Sequence, residues 1–268
     1  MPARNKEIAE FLKSRRRRVT PEAVGLPRSA RRRIENLRRE DVAWLADVGI
    51  TWYTWLEQGR PIKMAPETLD RVATALRLDA SEREYLHRLV SAIGKRPGDW
   101  SRDVSGGVRA LVEGFTGGYA FVTDPCWELL AWNRSFGSTF GLGGRDRGYE
   151  HNGLWIMFTD PASRRRFPDW DGIARRMVAM LRVEFAAYTE SERFAALIEA
   201  LSLRSAEFRA MWSHVEVFSP ARWTVGELRD PASGTVEHFS TVRLPVPDTP
   251  GQTLVFYVPE RSAVGSSA

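Results

Sequence analysis

Length, composition and charge exclude several classes of protein. The 268 residues give room for one large or two ordinary domains, and 43% hydrophobic with 27% charged residues is typical of a globular protein. No apolar run approaches the ~20 residues of a membrane helix, the N-terminus lacks the apolar stretch of a signal peptide, and a single cysteine, Cys126, excludes an internal disulfide. We therefore expect a cytoplasmic protein without a membrane partner.

Positive charge is concentrated in the first third of the chain. Residues 1–96 hold 21 Lys and Arg against 13 Asp and Glu, a balance of +8, whereas the remainder has a balance of −3. A basic module that binds nucleic acid, joined to a mildly acidic domain, explains this asymmetry. With the polar stretch GKRPGDWSRD as a boundary, the sequence predicts a DNA-binding domain at 1–96, a linker at 97–103, a second domain at 104–260 and a disordered tail at 261–268.

The chain opens with a predicted helix at residues 4–18 that ends in four arginines. Ile8, Phe11 and Leu12 form its apolar stripe. A cluster such as Arg15–Arg18 is often only a solvated surface. Beside a DNA-binding motif, we interpret it as a set of phosphate contacts.

Two short helices joined by a tight turn are predicted for residues 37–60, LRREDVAWLADVGITWYTWLEQGR. Apolar residues from Val42 to Ala46 have the spacing of one buried helical face. Asp47 tolerates a left-handed conformation, and Gly49 allows a sharp entry into the second helix. Further helices starting at Pro66 and Ser81 complete an all-α bundle.

The second helix of this pair presents one face to the outside. With Tyr53 and Leu56 in the core, about 100° per residue places the opposite arc outward: Ile50, Thr51, Thr54, Trp55 and Gln58. Cations flank the helix in sequence: Arg31, Arg32, Arg33, Arg38, Arg39, Arg60 and Lys63. Because base edges are read by an exposed face and phosphates need cations, we predict a helix-turn-helix that binds double-stranded DNA. A plain helical hairpin is the alternative.

The second half changes character and predicts an α+β, PAS-like domain with an antiparallel sheet. After a short helix ended by Gly114, Tyr119–Thr123 and Trp127–Ala131 have the composition of strands joined by a turn at Asp124-Pro125. Helical stretches follow from Trp132 to Trp212. Strand-like stretches end the domain, at 215–218, 222–225, 236–244 and 253–258. We expect a sheet of about five or six strands with helices against one face.

Aromatic residues are abundant in this domain and are mostly expected to be core. In a curved sheet covered by helices they also suit the walls of an apolar pocket. We take as candidate ligand-binding residues Tyr119, Phe121, Trp132, Asn133, Phe136, Trp155, Phe158 and Trp223. Asn133 is either a polar group at the pocket rim or the cap of the helix it begins, and we favour the cap. Arg164–Arg166 are expected in a solvated turn, with contact to a ligand carboxylate or a partner subunit as the alternative.

No set of residues predicts catalysis, a metal site or a cofactor. Cys126 has no histidine at a spacing that would supply a base, and it is expected to be a small buried hydrophobe. His151 and His214 are too isolated for metal ligation, and Gly141–Gly144 follow a helix rather than a strand, unlike a phosphate loop.

The N-terminal third resembles the helix-turn-helix domain of XRE-type regulators of the MmyB-like subgroup. The resemblance rests on FLKSRRRRVTPEAVGLP, RRRIENLRREDVAWLADVGITWYTWLEQGR and LDRVATALRLDASEREYLHRL. The family usually has Gly, Ser and Arg where this chain has Asp47, Gly49 and Trp55. Because Trp cannot make the two-pronged contact of Arg with guanine, family expectations about DNA sequence do not transfer.

The second half resembles the PAS-like ligand-binding domain of the same regulators. The residues that carry the resemblance are YAFVTDPCWELLAWNRSF, HNGLWIMFTDPASRRRFPDW, ARRMVAMLRVEF, FAALIEALSLRSAEFRAMW and TLVFYVP. One departure is Asp230-Pro231, where members often have His-Pro. The resemblance implies a bacterial one-component transcription regulator whose effector is a fatty acid or similar amphiphile.

Geometry adds the expectation of a homodimer, because one short helix reads too few bases and two half-sites multiply selectivity. The alternative hypothesis from another class is a DNA-binding protein whose C-terminal domain serves only dimerisation or protein contacts.

Overall fold

The computed structural model describes residues 3–27, 35–60, 62, 65–91, 100–142, 148–188, 190–214, 226–231 and 233–260. The chain forms two compact units, one built mainly from residues 1–97 and the other from most of residues 98–268. Each unit is described separately below. Within the described ranges, none of the helices has the length and apolar character needed to cross a lipid bilayer.

In the part that the structure describes, the regular elements of the first unit are all helices. Its elements are α1 (Ala3–Arg16), a 3-10 turn (Glu22–Val24), α2 (Arg39–Leu45), α3 (Ile50–Glu57), α4 (Pro66–Ala75) and α5 (Ala80–Ser91). Each of the five α-helices contributes apolar side chains to the core. The fully buried ones include Phe11, Leu12, Val42, Tyr53, Leu69, Val72, Tyr85 and Leu86. The predicted all-α helix-turn-helix bundle is therefore confirmed.

The turn between α2 and α3 has the predicted backbone. Asp47 adopts a left-handed conformation with φ of 51°, which a short polar side chain tolerates better than most. Gly49 precedes α3 in an extended conformation with no side-chain cap. The turn therefore ends α2 and starts α3 within a few residues.

A buried carboxylate ties the start of the unit to the end of α3. Glu57 is fully buried and accepts hydrogen bonds from Arg16 Nε to Oε1 (2.5 Å) and from Arg39 Nε to Oε2 (2.6 Å). The Tyr53 hydroxyl also donates to Oε1 (3.2 Å), and Arg16 Nη1 donates to the carbonyl of Leu37 (2.8 Å). One side chain thus fixes α1, the approach to α2 and α3 in one arrangement.

The interpretation of Arg15–Arg18 as phosphate contacts is wrong for its first two members. Arg15 is only 4% exposed and pairs with Glu82 (Nε–Oε1 2.8 Å). Arg16 is held by Glu57. Both guanidiniums complete the fold because α1 packs inside the bundle, which the charge run alone could not indicate. Arg17 and Arg18 remain exposed.

The second unit combines an antiparallel sheet with helices, which confirms the predicted α+β class. Its helices are α6 (Gly106–Gly114), α7 (Arg134–Phe140), α8 (Gly153–Thr159), α9 (Pro161–Arg166), α10 (Trp170–Ala187), α11 (Glu192–Arg204) and α12 (Ala206–Ser213). Its strands are β1 (Tyr119–Thr123), β2 (Leu129–Trp132), β3 (Gly226–Arg229), β4 (Val236–Pro245) and β5 (Thr253–Pro259). Among the described residues the strand order is β2-β1-β5-β4-β3, with every pair antiparallel.

The two faces of the sheet pack against different helices. Ala120 and Val122 of β1 join Leu254 in a cluster with Val112 of α6. On the opposite face, Phe121 stacks on Phe136 of α7 with ring centroids 4.5 Å apart. The sheet therefore has helical cover on both faces, whereas the sequence predicted cover on one.

Two local predictions in this unit are wrong. The second strand starts at Leu129 instead of Trp127, because Trp127 lies in the preceding turn with φ of 65°. Arg164–Arg166 lie in α9 instead of a solvated turn, and Arg166 is buried. Asp160 caps this helix by accepting a hydrogen bond from the Ala162 amide (2.9 Å). The predicted strands at 215–218 and 222–225 and the tail at 261–268 lie outside the described residues.

The described part of the predicted linker, residues 100–103, is anchored to the second unit. The indole of Trp100 is buried and donates to Asp124 Oδ2 (2.8 Å). Gln252 Nε2 donates to the carbonyls of Ser101 and Asp103 (3.0 Å each). The chain therefore enters this unit already fixed to the turn that joins β1 and β2.

We expect Glu57→Gln to destabilise the helical unit. Removing one partner of a buried ion pair costs about 3 kcal/mol, and the amide cannot satisfy two guanidiniums. Hydrogen exchange of peptides from α1 and α3, measured in the full chain, should accelerate roughly a hundredfold. The exposed Glu40→Gln is the matched control and should change exchange less than about threefold.

The effect of Glu57 should also depend on pH. Burial acts to raise its pKa, but hydrogen bonds from Arg16 and Arg39 outweigh burial and lower it. A lowered pKa gives stabilisation that is present above the ordinary glutamate value of about 4.3 and is lost as pH falls through the folded-state value. The difference between the parent and Glu57→Gln should shrink below that pH, and a constant difference down to about pH 3 would contradict the role given to the carboxylate.

Candidate functional site

The exposed face of α3 carries the residues predicted to read DNA. Tyr53 and Leu56 point into the core, while four of the five predicted residues are exposed and Thr54 is half-buried: Ile50, Thr51, Trp55 and Gln58 are the exposed four. The helix is fixed from behind by Glu57. Their geometry suits base contact, and their role in reading sequence stays a prediction.

Trp55 and Arg60 form a pair at the end of this face. The Arg60 guanidinium lies 5.5 Å from the centroid of the Trp55 ring, and the Arg60 amide donates to the Trp55 carbonyl (3.0 Å). A cation–π contact at an exposed site contributes about 0.5–1 kcal/mol. The pair places a cation beside an apolar ring, which suits a phosphate next to a sugar or a thymine methyl group.

The predicted flanking cations differ in their surroundings. Arg38 is exposed, and the Asp41 carboxylate holds its backbone amide (2.7 Å). Arg39 is 40% exposed at its side chain and uses Nε on Glu57. Arg31, Arg32, Arg33 and Lys63 lie outside the described residues. Arg38 is therefore the cleanest described candidate for a phosphate contact.

The second unit contains an apolar cavity between the sheet and its helices. Its volume is about 50 Å³, and nearly all of its lining is apolar. The sheet and the β1–β2 turn supply Phe121, Trp127, Leu129 and Tyr257, and the helical side is lined by Phe136, Phe140, Gly153, Ile156, Met157, Phe167, Ile173 and Met177. Two thioethers in the wall make it adaptable, because methionine changes rotamer easily.

The cavity brings together two of the eight predicted ligand-binding residues, Phe121 and Phe136. Tyr119 lines a separate open groove with Phe115 and Phe239. Three others pack elsewhere: Trp132 against His151, Trp155 against Tyr149, and Phe158 against Trp170 and Phe208. Trp223 lies outside the described residues.

Asn133 caps α7, as the sequence favoured. Its Oδ1 accepts from the Phe136 amide (3.0 Å), and its Nδ2 donates to the carbonyls of Phe115 and Gly118 (2.8 Å each). Since these bonds engage both ends of a side chain that is 1% exposed, Asn133 positions the wall of the cavity from behind.

Trp127 is the most informative lining residue that the sequence reasoning missed. A left-handed conformation is rare for a large side chain and costs about 1–3 kcal/mol. The Trp127 amide closes the turn on the Asp124 carbonyl (3.0 Å), which directs the indole to the cavity. Its place before an apolar strand indicated only a continuing strand.

Comparison with known families agrees with this architecture. The model of the MmyB-like transcription regulator ligand binding domain matches residues 104–266. A helix-turn-helix domain model matches residues 7–86. No curated protein matches this chain.

We expect Trp55→Arg to change the base preference of the protein. A guanidinium at position 55 gains the bidentate contact with guanine that the indole cannot make. Selection from a random DNA pool should therefore recover a more G-containing motif with the variant.

Trp44→Arg is the matched control, because Trp44 lies on α2, is 72% exposed and takes the same change of charge. This control should alter overall affinity and leave the motif unchanged. Identical motifs for Trp55→Arg and the parent would remove Trp55 from the reading face.

Proposed function

The chain belongs to the MmyB-like transcription regulators, and on that premise we propose that it binds operator DNA as a homodimer and responds to a fatty-acid-like effector. The family membership makes it a transcription regulator with a ligand-sensing domain. The finer proposal is supported by the presence of two features in one chain. These are an exposed face on α3 and an apolar cavity in the second unit.

Operator binding is supported by the arrangement of charge and exposure around α3. Ile50, Thr51 and Trp55 are exposed, Arg60 lies over the Trp55 ring, and Arg38 is exposed at the start of α2. A single helix of eight residues contacts few base pairs, so specific binding requires a second copy on a related half-site. We propose a two-fold symmetric operator on this ground.

A ligand with an apolar chain is supported by the lining of the cavity. A volume of about 50 Å³ has room for roughly four water molecules, which is too small for a long chain. Binding therefore requires Met157 and Met177 to move, and that displacement is a means by which the ligand could be sensed. The competing function, a domain used only for dimerisation or protein contacts, requires no such movement.

We expect Arg38→Ala to weaken binding to all DNA sequences alike. Losing one phosphate contact reduces the slope of log K against log salt by about 0.9. Titration of the full chain with a fixed duplex at several salt concentrations measures the slope.

Arg165→Ala is the control, since Arg165 is an exposed cation outside the basic N-terminal segment. It should leave the slope unchanged. An unchanged slope for Arg38→Ala as well would exclude Arg38 as a phosphate contact.

We expect saturated fatty acids to raise the thermal midpoint of the second unit in the full chain. Each buried methylene contributes about 0.8 kcal/mol, so the rise should grow with chain length and then reach a plateau when the cavity can open no further. Differential scanning calorimetry against a length series measures it.

With Met177→Phe the plateau should begin at a shorter fatty acid, because a rigid ring takes the place of an adaptable wall residue. Leu203→Phe, at a position that is 78% exposed, is the matched control and should leave the series unchanged. If no chain length shifts the parent's midpoint, the protein-contact function is favoured instead.

A further inference from the structure

Arg243 occupies the side of β4 that faces the helices and the cavity. It pairs with Val255 of β5, which in turn pairs with Phe121 of β1. Directly paired residues of antiparallel strands share a face. Phe121 lines the cavity, so the Arg243 side chain leaves the sheet on the cavity side.

This orientation is the reverse of what hydrophobicity dictates. On either side of Arg243, Val242 and Leu244 point outward and are 41% and 49% exposed, while Arg243 is half-buried. A shift of one residue in the register of β4 would turn the two aliphatic side chains to the inner face and expose the cation. The pairing with β5 prevents that shift and keeps a cation inside at the expense of apolar burial.

Arg243 is surrounded by aromatic residues of the cavity wall and by one carboxylate, that of Glu184. Its guanidinium lies 5.6 Å from the centroid of the Trp127 ring, and Trp127 and Tyr257 both line the cavity. Burial lowers the pKa of Arg243, and Tyr257, once its phenol is ionised at high pH, and the Glu184 carboxylate act in the opposite direction. Within the described residues, no hydrogen bond or ion pair engages this guanidinium.

A half-buried cation without a fixed partner destabilises the fold in which it is found. Arg166 is also a cation near the wall, but it lies over Phe140 inside the helical layer and is 7% exposed. Arg243 instead lies beside Trp127, whose ring it approaches and which itself lines the cavity. A bound anion would offset this cost by pairing with the guanidinium.

We propose that Arg243 binds the carboxylate of the ligand, whose apolar chain extends along Trp127 and Tyr257 into the cavity. The ligand class is a monocarboxylate with an unbranched apolar body, held by charge-assisted hydrogen bonds to the guanidinium. Trp127 flanks the head group and restricts water around it. This assignment rests on the proposed sensing function and adds the chemistry of its polar end.

The test is calorimetric titration of the full chain with octanoate and with methyl octanoate. The two probes share the apolar chain and differ in charge. The parent should bind octanoate at least about tenfold more tightly than the ester, the effect of a hydrogen bond to a charged group. Arg243→Gln should lose that preference while its affinity for the ester stays within about twofold of the parent.

Two further variants separate recognition from folding. Arg243→Lys keeps the charge and should retain part of the preference, and Arg165→Gln, an exposed arginine of α9, should behave as the parent. The ligand-free thermal midpoint of Arg243→Gln should equal or exceed that of the parent, because the variant removes a half-buried charge. A purely structural arginine would lower it.

Each contrary result has a distinct meaning. If the parent binds acid and ester equally, or if Arg243→Gln keeps the preference for the acid, the assignment of Arg243 is overturned while the apolar pocket stands. If the parent binds neither probe, the proposed ligand class fails, and the assignment fails with it.

Discussion

The burial of one carboxylate governs the first unit. Glu57 lies on the inner face of α3, where an unpaired charge would be prohibitive, so the fold must deliver cations to it. Arg16 arrives from α1 and Arg39 from the start of α2. The orientation of the outward face of α3 therefore depends on a contact between residues 41 positions apart in the chain. The two turns of α3 are thus held at their last residue, on the side opposite the exposed face that we propose reads DNA.

In the second unit the corresponding constraint is strand register. Pairing of β4 with β5 decides which side chains face the helices, and it does so against the local hydrophobic pattern. The stacked Phe136 and Phe140 of α7 pack over the sheet beside a cavity of about 50 Å³. Close packing makes this small void significant, since protein interiors seldom leave room that a side chain could occupy. The second unit thus keeps an unfilled apolar cavity between its sheet and its helices.

Periodicity predicted the elements whose burial follows local rules. The helices of the first unit, the left-handed turn at Asp47 and the cap at Asn133 all follow from spacing and side-chain chemistry. Glu57 carried a readable signal, because a charged residue three to four positions from Tyr53 shares its buried face.

Other features were set by contacts that the sequence pattern does not contain. The aromatic ligand-binding set was mostly missed, since whether Trp155 or Phe158 meets the cavity or another ring depends on how whole helices pack. Trp127 and Arg243 were missed for a related reason. A turn directs one, and the register of a neighbouring strand directs the other.

The hydrogen bond from Trp100 attaches the start of the second unit to the turn between β1 and β2. The indole is bonded to Asp124, and the same turn, only four residues long, ends in Trp127 at the cavity wall. A ligand that displaced Trp127, in line with the proposed function, would therefore act directly on the turn to which Trp100 is bonded. One turn therefore contributes a residue to the cavity wall and also anchors the start of the second unit.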